Sequence, residues 1–356
     1  MYSIAKSKLI TESFLDYRYL HPMTPPITSI ITPVKNGAAH LRECLDSIIA
    51  QTANRWELCI VDDNSTDTTW EILSKYKDLD SRIKPIKSNG VGIIPALQTG
   101  YAASSGQYIT RMDADDVMLP HKLETMEALL YSRGLGHLAV GGVEYFSEGE
   151  LGDGYRKYST WLNGLSATGS NWTDIYKECV IPSPCWMIHR EDFDKCGGFD
   201  SDRYPEDYDL CFRLYSEGLT IIPCDDVLHQ WRDYPERTSR NDPNYADNRF
   251  LDLKLHWFTQ LEIDKVKELV IWGAGKKGKV IAKYFAESNQ DFTWITTNTK
   301  KIGHNIYGQI LEHPDKIDLS NVIVVVAVSN PSEQDEIVAH LQKQGLTKGE
   351  EFYVFC

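Results

Sequence analysis

Asp113-Ala114-Asp115-Asp116 gathers three carboxylates into four residues. Like charges this close repel and raise one another's pKa unless a cation compensates them. A ligand set made only of oxygens suits a hard divalent ion, Mg²⁺ or Mn²⁺. The run follows Gln107-Tyr-Ile-Thr-Arg-Met112, which reads as a buried strand. A second acidic run, Asp62-Asp-Asn-Ser-Thr-Asp67, follows the strand-like Leu58-Cys-Ile-Val61. A third polar loop, Thr32-Pro-Val-Lys-Asn-Gly37, follows Ile27-Thr-Ser-Ile-Ile31. One acidic turn alone is ordinarily a solvated Asx cap. Two on one sheet edge are harder to read that way, and no Cys/His set has zinc spacing.

Those loops need a scaffold. Leu41, Cys44, Leu45, Ile48 and Ile49 recur at helical spacing and predict an amphipathic helix. Asp67 or Thr66 is placed to cap a helix reaching about Tyr76, residues 83–86 suit a short strand, and 96–104 a further helix. Strands alternating with helices predict an α/β fold with a mainly parallel sheet. In such sheets ligands bind beyond the carboxyl ends of the strands, where the three loops fall.

The chain has 356 residues, which predicts about two domains. The expected division is an N-terminal extension at 1–26, a first α/β domain at 27–260 and a smaller Rossmann-like unit at 261–356. The last opens on Leu269-Val-Ile-Trp272 followed by Gly273-Ala-Gly-Lys-Lys-Gly278, and holds a second buried run, Val322–Val328.

A net charge of −14 argues against a nucleic-acid partner, which would need basic surface. It does not exclude a nucleotide, because a metal ion can bring a diphosphate to carboxylates. The eight cysteines form no CxxC pair and several sit in apolar runs, so buried free thiols and a reducing, cytoplasmic setting are expected. No run approaches the roughly 20 apolar residues of a membrane span, which leaves at most a peripheral membrane contact.

Taken together, these segments resemble family 2 glycosyltransferases of the GT-A fold. The resemblance covers residues 27–130. It rests on Thr32–Gly37, Cys44-Leu-Asp-Ser-Ile-Ile-Ala-Gln-Thr52, Ile60-Val-Asp-Asp-Asn-Ser-Thr-Asp67, and Tyr108-Ile-Thr-Arg-Met-Asp-Ala-Asp-Asp116 followed by Pro120. It implies a nucleotide-sugar donor, UDP-linked, and a saccharide or lipid-linked glycan acceptor in surface polysaccharide assembly. Thr32, Pro33 and Asn36 would then belong to the donor loop. Asp63 would accept a hydrogen bond from the base. Asp113 would lie on the ribose or metal side, Asp115 would ligate the metal, and Arg111 would support carboxylates or phosphates. Asp116 is left as the structural member. Lys35 departs from the aromatic residue usual in the family, and Asn64 from a frequent Gly.

Inverting transfer needs a base opposite the leaving group. Pro205-Glu-Asp-Tyr-Asp-Leu-Cys-Phe-Arg-Leu214 reads as a helix start, with Gly218 at its end. Asp207 then heads a stripe with Leu210, Cys211 and Leu214. Glu206 and Asp207 could instead only complement the helix dipole. The segment also resembles the family's Glu-Asp motif, which implies Asp207 as catalytic base, with Asp209 as fallback. The Pro182–Trp186 loop reads equally as acceptor wall or core. Trp231–Arg240 carries three arginines, of which Arg232 or Arg240 could reach the diphosphate. Tyr234 stands where the family often has His, so no third protein ligand is implied.

Gly273–Gly278 follows a strand and opens a helix, the context a dinucleotide fingerprint requires. The next strand ends at Asn298 instead of an acid, so an accessory or oligomerisation unit, compatible with a homo-oligomer, is expected over an NAD site. Three further functions compete. A metal-dependent nucleotidyltransferase would want a more basic N-terminal loop. A non-catalytic glycan-binding scaffold on a degenerate transferase fold is at odds with the intact Asp63, Asp115 and Asp207. An NAD-dependent oxidoreductase would leave the first 260 residues without a role.

Overall fold

The computed structural model describes residues 27–147, 149–200, 203–235, 237, 250–263 and 267–356. The N-terminal extension and Arg240 lie outside the described residues.

The first half alternates strand and helix: β1 (Thr28–Val34), α1 (Leu41–Ile49), β2 (Trp56–Asp62), α2 (Thr69–Leu79), β3 (Ile83–Lys87), α3 (Ile93–Ala102) and β4 (Tyr108–Arg111). β1, β2 and β4 are buried along their whole length apart from Pro33, as strands covered on both faces must be. β5 (Val117–Met118), α4 (Lys122–Arg133), β6 (His137–Val140), β7 (Gly142–Phe146), α5 (Asp153–Thr168), β8 (Trp186–His189) and α6 (Arg190–Lys195) follow. Next come α7 (Glu206–Ser216), β9 (Thr220–Ile222), β10 (Val227–Arg232) and α8 (Phe250–Leu261).

Seven strands form one sheet in the order β3-β2-β1-β4-β8-β6-β9. The pairs among β3, β2, β1 and β4 are parallel, and β8 is antiparallel to both neighbours. The ends of β1, β2 and β4 therefore lie on one edge, where the three polar loops emerge. A small sheet, β5-β10-β7, stands beside that edge and brings β10 against the acidic loop. The α2 cap differs from expectation: the N-cap is Thr68 and its side chain makes no capping bond.

The last segment contains β11 (Glu268–Trp272), α9 (Lys276–Glu287), β12 (Thr293–Ile295), the hairpin β13 (Asn305–Ile306) and β14 (Gln309–Ile310), β15 (Val322–Val326), α10 (Pro331–Lys343) and β16 (Phe352–Val354). Its four-stranded sheet is wholly parallel, in the order β12-β11-β15-β16.

The two sheets share packing through aromatic rings. Tyr176 stacks on Phe355 with centroids 5.2 Å apart and meets Tyr353 and Phe258 edge-on. Glu262 accepts hydrogen bonds from Tyr176 and Tyr353. Lys348 pairs with Asp174. Among the described residues, no helix is long and apolar enough to cross a membrane.

Phe355 is fully buried at this junction. Phe355→Ala is expected to cost about 3–5 kcal/mol in urea unfolding, as large-to-small core changes do. A change of the size seen for surface substitutions would refute the junction as a packed core.

Candidate active site

The loops after β1 and β2 are tied together. Asn36 adopts a left-handed conformation (φ 50°) and its Oδ1 accepts from the Thr66 backbone N–H at 2.8 Å. Its own N–H donates to Ser65 Oγ at 2.8 Å. The Asp67 carboxylate accepts from the N–H of Ala38 and from Thr69. Asn64 also lies at φ 56°, a region Gly enters freely and Asn tolerates. That accounts for Asn where the family often has Gly.

Within this rim Asp62 is fully buried and anchored by Lys87 and the Ser65 N–H. Asp63, its neighbour, is also buried. Its Oδ2 accepts from Gly92 N–H at 2.9 Å and its Oδ1 from Asn64 at 3.2 Å. Each oxygen keeps a second lone pair for a ligand donor. Lys35 Nζ lies 3.7 Å from Asp63 Oδ2.

The acidic loop after β4 divides into two levels. Asp116 is the buried level, with no exposed surface. It accepts from His229 Nε2 at 3.0 Å and from Arg232 N–H at 2.8 Å. Behind His229, the buried Lys122 ammonium lies 3.4 Å from Nδ1 and donates to the Pro184 carbonyl. Burial lowers the pKa of His229 well below its ordinary value, and Lys122 adds to this. Burial also pushes Asp116 up to about 8, with Asp113 repulsion adding to it.

Asp113 and Asp115 form the outer, half-exposed level. Asp115 Oδ2 accepts from Tyr234 OH at 2.9 Å. Burial, then repulsion from Asp116 and Asp113, pushes Asp115 up to about 6. Arg111 is buried beneath. Its Nε donates to Asp113 Oδ1 at 3.1 Å and its guanidinium to Glu206 Oε1 at 3.0 Å. Glu206 opens α7, so Arg111 binds the acidic loop to the helix that carries Asp207. Asp207 is half-buried. Burial pushes it up to about 7, with Glu206 repulsion adding and Arg111 opposing.

Of the expected site residues, Asp63, Arg111, Asp113, Asp115 and Asp207 converge on this edge. Pro33 is partly exposed there, and Asn36 builds the loop without facing inward. Thr32 differs: it is fully buried and its hydroxyl has no partner among the described residues, so its side chain lies under the loop. Arg232 also differs. Its Nε donates to the Asp115 carbonyl at 2.7 Å, it pairs with Glu43, and it lies over Phe146. Those contacts make it a brace for the acidic loop instead of a clamp on phosphate. Arg237, over Trp231, is the arginine of that segment whose charge opposes the rise of Asp115 and Asp116. Trp186 packs in the core against Phe193, and Ile181 to His189 are all buried, so the 182–186 loop is packing and not an open wall. Asp209 is held by Arg213 and Trp257, which removes it as an alternative base.

Four contributors were not legible beforehand: Lys122, His229, Glu43 and Arg237. Lys122 opens a helix with charged neighbours and reads as solvated. Only the pairing of β10 with β5 brings His229 to Asp116.

Among the described residues no three His, Cys, Asp or Glu side chains make a metal site by themselves. The oxygen donors of Asp113 and Asp115 nonetheless suit a hard divalent ion, which these two carboxylates would hold only in part. Two half-exposed carboxylates stand over a third, and their repulsion raises Asp115.

Residues 29–197 match glycosyl transferase family 2. Glycosyltransferase GlyA of Streptococcus pneumoniae serotype 4 is 37% identical over 212 residues, which are 57% of this chain and 30% of that protein. Glycosyltransferase GlyG of the same organism is 33% identical over 217 residues, 58% of this chain and 70% of that protein. The structure of a fragment of S. aureus TarS with UDP-GlcNAc superposes with a TM-score of 0.50 at 16% identity, covering 67% of this chain and 68% of that one. That last likeness is one of fold. The chain belongs to glycosyl transferase family 2, and its sheet is that of the GT-A fold.

Two outcomes follow from the two levels of acid. Asp116→Ala is expected to lower stability by about 1–3 kcal/mol for each buried donor left unpaired, whereas Asp115→Ala relieves repulsion and leaves unfolding nearly unchanged. Urea titration of both variants decides this, and equal losses would refute the division. The second concerns pH. An acid whose folded pKa is raised binds a proton that the unfolded chain releases, so its stabilisation is lost as pH rises through about 6. A divalent ion competes with that proton. The Mn²⁺-induced rise in Tm is therefore expected to be small near about pH 5 and larger near about pH 7. A shift that ignores pH, or survives Asp115→Asn, contradicts it.

Proposed function

We propose that the chain is a metal-dependent inverting glycosyltransferase that moves a sugar from a nucleoside-diphosphate donor, UDP-linked, to a hydroxyl of a saccharide or lipid-linked glycan. The observation that supports it most is the Arg111 bridge. One buried cation joins Asp113 of the acidic loop to Glu206, next to Asp207. Donor side and base side are thereby held on one edge.

Asp63 accepts a base N–H of the donor, which suits uracil. Asp113 and Asp115 would hold Mg²⁺ or Mn²⁺. When bound, that ion stabilises the diphosphate as a leaving group by Lewis-acid chemistry. Tyr234, hydrogen-bonded to Asp115, orients its carboxylate and leaves the second oxygen open. Asp207 accepts the proton of the acceptor hydroxyl as that oxygen attacks the anomeric carbon from the face opposite the diphosphate. A pKa of about 7 suits this task, since a base works best near the ambient pH. Residues 27–260 constitute the transfer domain and 261–356 an accessory domain in this reading.

The test is nucleotide release from UDP-, GDP- and TDP-sugars, with and without Mn²⁺, in the presence of an acceptor mixture. Asp115→Asn is expected to abolish metal-dependent donor binding. Asp207→Asn should preserve donor binding and lower turnover by about 10²–10⁴-fold. In the native chain kcat should fall on the acid side of about pH 7 as Asp207 takes up a proton. Full turnover by Asp207→Asn would remove the base assignment, and metal-independent release would remove the metal.

A further inference from the structure

The four-stranded sheet of residues 268–354 has a topological switch point. From β11 the chain passes through α9 to β12 on one side, then returns across β11 to β15. From β15 it passes through α10 to β16 on the other side. α9 packs Ile281, Ala282 and Phe285 on one sheet face, and α10 packs Ile337 and Leu341 on the other. The connections leaving β11 and β15 thus part to opposite faces, and a crevice opens between the carboxyl ends of these two strands. In open parallel sheets this is where ligands bind.

A cavity of about 640 Å³ occupies that crevice. Gly275, Lys276, Lys277, Asn298, Lys301 and Asn330 are among the residues that line it. Three lysines against the one acid of the lining, Glu333, make it cationic in a chain of net charge −14.

The glycines are placed for a close approach. Gly273 has φ 125°, and a Cβ there would fall 2.9 Å from the Ala327 carbonyl oxygen. A Cβ on Gly278 would fall 2.1 Å from the Gly273 oxygen, so the helix rests directly on the strand end. A Cβ on Gly275 would meet nothing within 4 Å. Its backbone borders the open cavity, and a side chain there would fill it. No side chain caps the N-terminus of α9, so its first N–H groups are left for a ligand. Trp272, which also lines the crevice, is buried, and its indole N–H has no acceptor among the described residues.

We propose that this crevice is a second nucleotide site, separate from the donor site, which binds one nucleoside 5′-diphosphate. The diphosphate lies against Gly275 to Lys277 and Lys301. Four parallel strands make only one mononucleotide-binding half, and β12 is followed by Thr296, Thr297 and Asn298 with no carboxylate for a dinucleotide ribose. Both features select a single nucleotide over NAD. Lysines supply the positive charge here, so binding needs no metal ion.

Isothermal titration of the full chain in EDTA, with UDP, GDP, ADP and NAD⁺ in turn, tests this. At least one of the three diphosphates is expected to bind with a stoichiometry of one. Lys277→Glu and Gly275→Val should each weaken it by about tenfold or more, since each removes a phosphate contact or the space for it. Both variants should fold as the parent by circular dichroism, and their Mn²⁺-dependent turnover of sugar nucleotide should be unchanged. No diphosphate bound in EDTA, binding indifferent to both variants, or binding of NAD⁺ alone would each overturn the proposal. Loss of turnover in the native chain would bear on the transfer reaction and leave this binding result standing.

Discussion

The site depends on one buried cation. Arg111 ends β4, whose pairing with β1 and β8 fixes it in the middle of the sheet. Arg111 is 6% exposed, and its guanidinium divides between Asp113 and Glu206. A buried charge without a partner is costly, so neither carboxylate can move away alone. Two segments 95 residues apart are thereby held to a few ångströms. Glu206 gives only one oxygen to this bridge. Its other oxygen is buried without a partner among the described residues, and its charge adds to the rise of Asp207. The same contact thus positions Asp207 and helps tune it.

Beneath the outer carboxylates runs a chain of buried hydrogen bonds, Lys122 to His229 to Asp116. Neutral His229 donates from Nε2 to Asp116, which leaves Nδ1 as acceptor toward Lys122; the hydrogen-bond network assigns that tautomer. All three side chains are fully buried, so the network behaves as a floor. Above it Asp113 and Asp115 remain half-exposed and available to a ligand. Arg232 braces the same loop from β10. The acidic run is therefore three residues of like type with two kinds of work, separated by depth.

How much of this was legible in the residues varies with the range of the contacts involved. Strands with continuous apolar runs and the α1 stripe could be read locally, and they appear within a few residues of the expected bounds. The loops at 32–37, 62–67 and 113–116 could be placed on one edge, because parallel β-α-β order alone puts strand ends together. The role of Asp116 followed from the family resemblance and is matched by its burial. What failed needed long-range pairing. Arg232 looked free because nothing local shows Glu43 and the Asp115 carbonyl waiting for it. The burial of Lys122 has no local signal, since a lysine beside His121 and Glu124 is ordinarily solvated. Trp186 could be wall or core until β8 was placed between β4 and β6.

The two proposed sites would hold phosphate in opposite ways. On the first sheet the edge is acidic, so in the proposed reading a divalent ion would stand between it and a diphosphate. On the second sheet the edge carries lysines and free backbone N–H groups, which take an anion directly. Both edges are the carboxyl ends of parallel strands, so the fold rule is shared and the chemistry is not. The difference has a functional logic. An ion between carboxylates can stabilise charge that develops during bond cleavage, whereas fixed lysines bind the same group without favouring its departure. On the proposed reading, catalysis would therefore belong on the edge that repels its ligand in the absence of metal, and simple retention on the edge that attracts it.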